Sequence, residues 1–185
     1  MEEPINTVND SKQKTLKRIE DLLAAISEES MRGKVLVMTG QIDNLLSEML
    51  RRFLKPARDK DHELLNPMQP LGSFAARVDI AYRLGLIRES DADALDLLRK
   101  IRNDCAHTTK PFSIEAEPHR ARFIEFTART CEKDYLYLAI GGVICPKTTE
   151  DWFIMICLSH IAYMEATLEK LEQTPNKFVV AGKKT

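Results

Sequence analysis

SDADALDLLRKIRNDCAH, residues 90–107, carries apolar side chains at helical spacing and ends in a cluster of polar ones. Ser90 is a predicted N-cap, and the acidic residues that follow it suit the positive end of a helix. Pro111 is predicted to end the helical stretch. The core-facing stripe of this helix is predicted to be Ala94, Leu97, Leu98, Ile101 and Cys105.

Similar stripes occur before and after this segment, and each predicts a further helix. Ser73 is the predicted N-cap of the helix before it, and Gly85 is its predicted left-handed stop. Residues 135–144 fit a short strand, a hairpin arm or a packed loop. The other predicted stripes are Leu16, Ile19, Leu22, Leu23 and Ile26; Val35, Met38, Ile42, Leu45, Leu46, Met49 and Phe53; Phe74, Val78, Ala81 and Tyr82; Phe123, Ile124 and Phe126; and Phe153, Cys157, Ile161, Met164, Leu168 and Leu171.

These stripes predict an all-α fold, a single compact bundle of five to six helices. At 185 residues, the chain has the length of one domain. We predict that residues 1–173 form the helical bundle domain and that residues 174–185 form a flexible C-terminal tail.

The charge of the chain gives it no general attraction to nucleic acid. Lys and Arg total 27 against 28 Asp and Glu, a net charge of −1, so binding to a phosphate backbone would need a local basic patch. The basic cluster at residues 51–60 is interrupted by acids and is typical of a solvated helix end. Near-zero net charge also permits self-association, and we predict a homodimer.

The four cysteines and the N-terminus indicate a cytoplasmic protein with reduced thiols. The cysteines form no Cys-x-x-Cys pair, residues 1–4 do not resemble a signal peptide, and no apolar run is long enough to span a membrane. A dense set of metal ligands and a glycine-rich phosphate loop are both missing, so neither a metal nor a cofactor is predicted. His160 lies in an apolar stripe and is predicted to be buried and hydrogen-bonded, whereas His62 and His119 are predicted to be exposed.

The candidate chemistry lies at the end of the quoted segment. Arg102 offers a planar set of donors that can stabilise an oxyanion, and His107 can exchange a proton near neutral pH. On a helix, Asn103 and His107 share a face, while Arg102 is displaced by about 140° from His107. The alternative is a structural network: Arg102 pairs with Asp104 or a distant acid, Asn103 caps backbone groups, and His107 satisfies the last carbonyls of the helix.

Three neighbouring motifs resemble the mannitol operon repressor family of bacteria. They are Pro-Leu-Gly-Ser-Phe at residues 70–74, Arg-Val-Asp-Ile-Ala-Tyr-Arg-Leu-Gly-Leu-Ile at residues 77–87, and Lys-Ile-Arg-Asn-Asp-Cys-Ala-His at residues 100–107. The resemblance covers roughly residues 35–111 and implies a regulatory protein. Because no basic recognition helix is evident, action through a protein partner is preferred, and a DNA-binding repressor is kept as an alternative.

The spacing of Arg102 and His107 also resembles the Arg-x-x-x-x-His motif of HEPN domains, a helical superfamily that includes metal-independent endoribonucleases. This resemblance implies an alternative function, in which the catalytic residues are Arg102, Asn103, Asp104 and His107. His107 would transfer protons, Arg102 would stabilise the phosphorane, and Asn103 or Asp104 would orient them. In the resembled nucleases two copies of the motif meet at a dimer interface, which also implies a homodimer.

Overall fold

The computed structural model describes residues 5–57, 63–130 and 146–173. Within these ranges the chain forms six helices and no strand, and the predicted all-α bundle is confirmed. The ambiguous residues 135–144 and the predicted tail, residues 174–185, lie outside the described ranges. The helices are α1 (Ile5–Ile26), α2 (Met31–Phe53), α3 (Phe74–Arg83), α4 (Glu89–His107), α5 (His119–Thr130) and α6 (Thr149–Gln173).

Helix α2 lies at the centre of the bundle, where it packs against α6, α4 and α3, and α5 packs on the other side of α4. The stripe predicted for α4 is buried, with Leu98, Ile101 and Cys105 fully inaccessible to solvent. The burial predicted for two residues is wrong: Ile124 is 57% exposed and Tyr82 is 43% exposed. Each lies beyond the edge of the buried face of its helix. None of the described helices is long and apolar enough to cross a membrane.

Two of the predicted helix boundaries are confirmed and one is wrong. The Ser73 hydroxyl accepts a hydrogen bond from the Ala76 amide at 3.2 Å, and Gly85 has a φ of +71°, in the left-handed region. Helix α4, however, begins at Glu89, before the predicted cap Ser90. The buried Asp91 carboxylate binds both the backbone amide and the guanidinium of Arg88, and this replaces a serine cap.

His160 is buried in α6, as predicted, and is only 3% exposed. Its Nε2 lies 3.2 Å from the Thr130 hydroxyl, and its ring stacks on Phe126 with 5.8 Å between centroids. Burial lowers the pKa of His160 to about 4; the nearby Asp91 opposes this effect and Arg88 adds to it. The imidazole is therefore neutral in the folded chain at neutral pH.

This low pKa predicts a loss of stability in mild acid. The unfolded chain takes up the His160 proton below about pH 6.5, but the folded chain takes it up only near pH 4, so the stability present above pH 6.5 falls across this interval. The loss from this group approaches about 3 kcal/mol. We expect His160→Gln, which retains a polar group for Thr130 but does not titrate, to reduce this dependence. Urea unfolding of both proteins from pH 7 to 4 measures it, and equal slopes would contradict the prediction.

Candidate functional site

A cleft of about 520 Å³ lies between α2, α3 and α4, and it is the candidate functional site. Its volume falls in the range of about 300–1,000 Å³ that is common for binding pockets. Gly72, Ser73 and Phe74 form one side, and Arg102 and Asn103 form another. Folding thus brings together parts of two motifs that are almost thirty residues apart in the sequence. The remaining lining comes from Leu36, Thr39, Gly40, Asp43, Ala75 and Arg99.

The wall of the cleft is held by Arg77, whose side chain is only 11% exposed. Its guanidinium donates hydrogen bonds to the carbonyl oxygens of Leu71 and Gly72, both at 2.9 Å, and of Leu65 at 3.2 Å. It also forms an ion pair with Asp43 of α2. One planar group therefore fastens the segment before α3 to both neighbouring helices.

Gly72 is required where this segment turns into α3. A Cβ atom at this position would lie 2.4 Å from the Pro67 carbonyl oxygen and 2.5 Å from that of Asn66. Both neighbours are backbone atoms of the same tight turn, so they have little freedom to move. A side chain at residue 72 would therefore displace the backbone segment that Arg77 binds.

The accessible part of the cleft combines cationic, amide and apolar groups. Arg102 is exposed and donates to the Asn103 side-chain oxygen at 3.1 Å, and Leu36 is 38% exposed on the opposite side. Arg99 is paired with Asp96 at 3.1 Å. The lining contains no histidine or cysteine, and its carboxylate, Asp43, is bound to Arg77. This arrangement is suited to binding an acidic or amide group rather than to transferring a proton.

The other two predicted site residues lie apart from the cleft lining. Asp104 pairs with Arg122 of α5 and not with Arg102, so it fastens α5 to α4. His107 is exposed in the last turn of α4, and its side chain makes no hydrogen bond to any residue that the structure describes. A single protomer therefore places Arg102 and Asn103 on the cleft but Asp104 and His107 outside its lining. A catalytic role for these four residues stays a prediction.

Arg32 of α2 binds the C-cap of α4 and the segment after it, a contact that sequence reasoning missed. Its guanidinium donates to the carbonyl oxygens of Thr108 at 2.8 Å and Lys110 at 2.7 Å. Arg32 thus holds the segment that follows α4, and the predicted role of His107 at the carbonyls of the helix stays a prediction. Nearby Cys105 is buried, and burial raises the pKa of its thiol against the opposing effects of Arg32 and Arg102.

His119, which was predicted to be exposed, is largely covered, and its side chain is only 16% exposed. Its ring packs on Phe112 at 4.7 Å between centroids, and its buried Nδ1 lies 3.5 Å from the Asp104 carboxylate. No pattern in the sequence indicated this contact, because it joins α4 to the first residue of α5 through tertiary packing.

These features define an all-α bundle with a polar and apolar cleft at the junction of α2, α3 and α4. The fold is similar to that of a chain in the X-ray structure of the MtlR–HPr complex from Escherichia coli, with a TM-score of 0.51 and 13% identity. The similarity covers 88% of this chain and 98% of the other. Since MtlR is the mannitol operon repressor, the resemblance predicted from the sequence is confirmed for the fold. No family model and no curated protein matches the sequence.

Proposed function

We propose that this chain is a cytosolic regulatory protein that acts by binding a partner protein through the cleft between α2, α3 and α4. The observation that carries the proposal is that Gly72–Phe74 and Arg102–Asn103, from motifs that resemble the mannitol operon repressor family, lie on the same accessible cleft. The similar structure is a complex with HPr. HPr is therefore the partner to test first.

The composition of the cleft supports a protein partner over nucleic acid. Protein interfaces commonly have an apolar centre with arginine among the residues that contribute most to affinity, and here Leu36 and Phe74 lie with Arg102. Strong DNA binding needs a broad cationic surface, and the net charge of −1 supplies no general attraction. Direct binding to operator DNA is the weaker alternative.

Arg102→Ala is expected to weaken binding of HPr by about tenfold or more, because an arginine at the centre of an interface commonly contributes more than about 1.4 kcal/mol. Isothermal titration calorimetry with HPr from the same organism measures the change. Arg120→Ala is the matched control, since Arg120 is exposed on α5 and does not line the cleft. Equal losses in both variants, or no HPr binding by the unaltered chain, would contradict the proposed site. If the chain does not bind HPr but shifts the mobility of operator DNA in a gel, the repressor alternative is favoured.

A metal-independent endoribonuclease is the second candidate. Its support is that Arg102 and His107 are both exposed and that His107 has no partner among the described residues. Under this alternative His107→Ala should abolish EDTA-resistant RNA cleavage while changing stability by less than about 0.5 kcal/mol, as is usual for exposed positions. Cleavage by purified protein is followed on labelled RNA, with His62→Ala as the control. Undiminished cleavage by His107→Ala would assign the activity to a contaminant.

The ribonuclease alternative also requires a second protomer. Arg102 lines the cleft and His107 does not, so a composite site would take these two groups from different copies. We propose a homodimer on this ground and on the near-zero net charge. Light scattering at tens of micromolar is expected to give twice the monomer mass. A strictly monomeric chain would remove the composite site.

A further inference from the structure

A second and larger cavity, of about 740 Å³, lies between α1, α2 and α6. It shares no lining residue with the cleft described above, because it uses a different face of α2. Its lining is mixed: leucine and isoleucine side chains lie beside three arginines, three acids and two amides. The equal numbers of arginines and acids leave little net charge.

The unusual group in this cavity is Glu165 of α6, which is only 3% exposed. One oxygen of its carboxylate accepts a hydrogen bond from Arg18 of α1 at 3.2 Å. The other oxygen, Oε2, is buried and has no hydrogen-bond partner within the described part of the chain. Buried carboxylate oxygens are normally paired, since an unpaired one loses its hydration without compensation. Glu165 therefore has capacity for one more donor, and because Oε2 is closed to solvent, a ligand in the cavity meets this oxygen when the carboxylate rotates toward the cavity.

Arg18 is the one partner that Glu165 has among the described residues, and it compensates the charge of Glu165 only in part. Arg18 is 61% exposed, so much of its guanidinium faces solvent rather than the carboxylate. A further ion pair at the cavity joins Arg52 to Glu48, at 2.8 Å. A group that both donates to Oε2 and carries positive charge would complete the environment of Glu165.

The neighbouring side chains provide more acceptors for such a group. The Gln41 and Asn44 amides line the same cavity, and neither side chain forms a hydrogen bond to a described residue. An ammonium group has three donors, which one carboxylate oxygen and two amide oxygens can satisfy. Leu45 and Leu168 supply apolar surface for a short carbon chain.

We propose that this cavity binds a small organic molecule through a primary ammonium group, with Glu165 as its ionic partner and with Gln41 and Asn44 as further acceptors. The proposal does not depend on the protein-binding function of the cleft. A ligand held here would contact α1, α2 and α6 together and would fasten α1 to the bundle.

The ligand class is tested with probes that have the same four-carbon stem. We expect n-butylamine to bind the full chain saturably at low-millimolar concentration in calorimetry, and n-butanol, which lacks the charge, not to bind. γ-Aminobutyrate adds a carboxylate that Arg51 at the cavity can contact. If γ-aminobutyrate binds more tightly than n-butylamine and Arg51→Gln removes this gain, the ligand is a zwitterion. If the two probes bind equally, the ligand is a simple amine.

Glu165→Gln is expected to weaken amine binding by about tenfold or more, because it removes a charged acceptor without changing the shape of the side chain. Asn44→Ala provides an independent test, since Asn44 is exposed and its loss should leave folding intact. We expect Asn44→Ala to weaken binding several-fold and Arg102→Ala, in the separate cleft, to leave it unchanged. Absence of saturable n-butylamine binding, equal binding of n-butanol, or unchanged affinity in Asn44→Ala would overturn the proposal.

Discussion

Replacing Arg77 with methionine is expected to lower the free energy of unfolding by about 2–4 kcal/mol, because several hydrogen-bond acceptors lose their shared charged donor. Methionine preserves most of the apolar stem but none of the donors. The Asp43 carboxylate and the carbonyl oxygens of Leu65, Leu71 and Gly72 would all lose the same partner. The cost arises from groups left unpaired in a partly buried site rather than from lost contact area.

Arg83→Met is the control for this prediction. Arg83 lies in the same helix, but its side chain is 69% exposed and its ion pair with Asp79 lies on the surface. Such pairs contribute about 0–1 kcal/mol, so denaturant unfolding should change little. Arg77→Lys should also be strongly destabilising, because an ammonium group lacks the planar fork that reaches several acceptors at once. Equal midpoints for Arg77→Met and Arg83→Met would show that the wall of the cleft does not depend on Arg77.

The helices of this fold were predictable because their apolar stripes and caps are local signals. Ser73 and Gly85 act within one turn of the helix boundary, and both predictions were confirmed. The start of α4 was misplaced because the cap there is supplied by Asp91, three residues inside the helix, rather than by Ser90. Carboxylates in a first turn favour the helix whether or not they cap it, so the sequence does not distinguish the two roles.

The candidate site was less predictable because tertiary contacts decide which polar residues are available. Arg102 and Asp104 are two residues apart in one helix, yet Arg102 lines the open cleft and Asp104 is bound by Arg122 of α5. The segment after α4 is held by Arg32, which is distant in the sequence and which no local pattern indicated. Local spacing identified the polar cluster, but it did not show which of its side chains form structural ion pairs and which are available on the surface.

The motifs that carry the resemblance contain residues that hold the fold and residues that line the accessible cleft. Gly72 is required because a Cβ atom there would lie less than 3 Å from backbone atoms, whereas Arg102 and Asn103 line an accessible surface. A sequence pattern alone gives both the same weight. Variants of Gly72 therefore test the fold of the cleft, and variants of Arg102 test what the cleft binds.

Ile101→Ala is expected to destabilise the chain by about 2–5 kcal/mol, because it removes a fully buried side chain next to Arg102 and leaves a cavity. Ile124→Ala is the matched control: Ile124 is 57% exposed on α5, so the same truncation should cost less than about 0.5 kcal/mol. Chemical denaturation monitored by circular dichroism measures both. Equal losses of unfolding free energy in Ile101→Ala and Ile124→Ala would show that Ile101 does not lie on the buried face of α4. Ile101 faces the core and Arg102 faces solvent. Ile101→Ala should therefore lower stability while the folded fraction keeps its affinity for the proposed partner, the opposite of what is expected for Arg102→Ala. This contrast separates the helix's packing face from its proposed binding face.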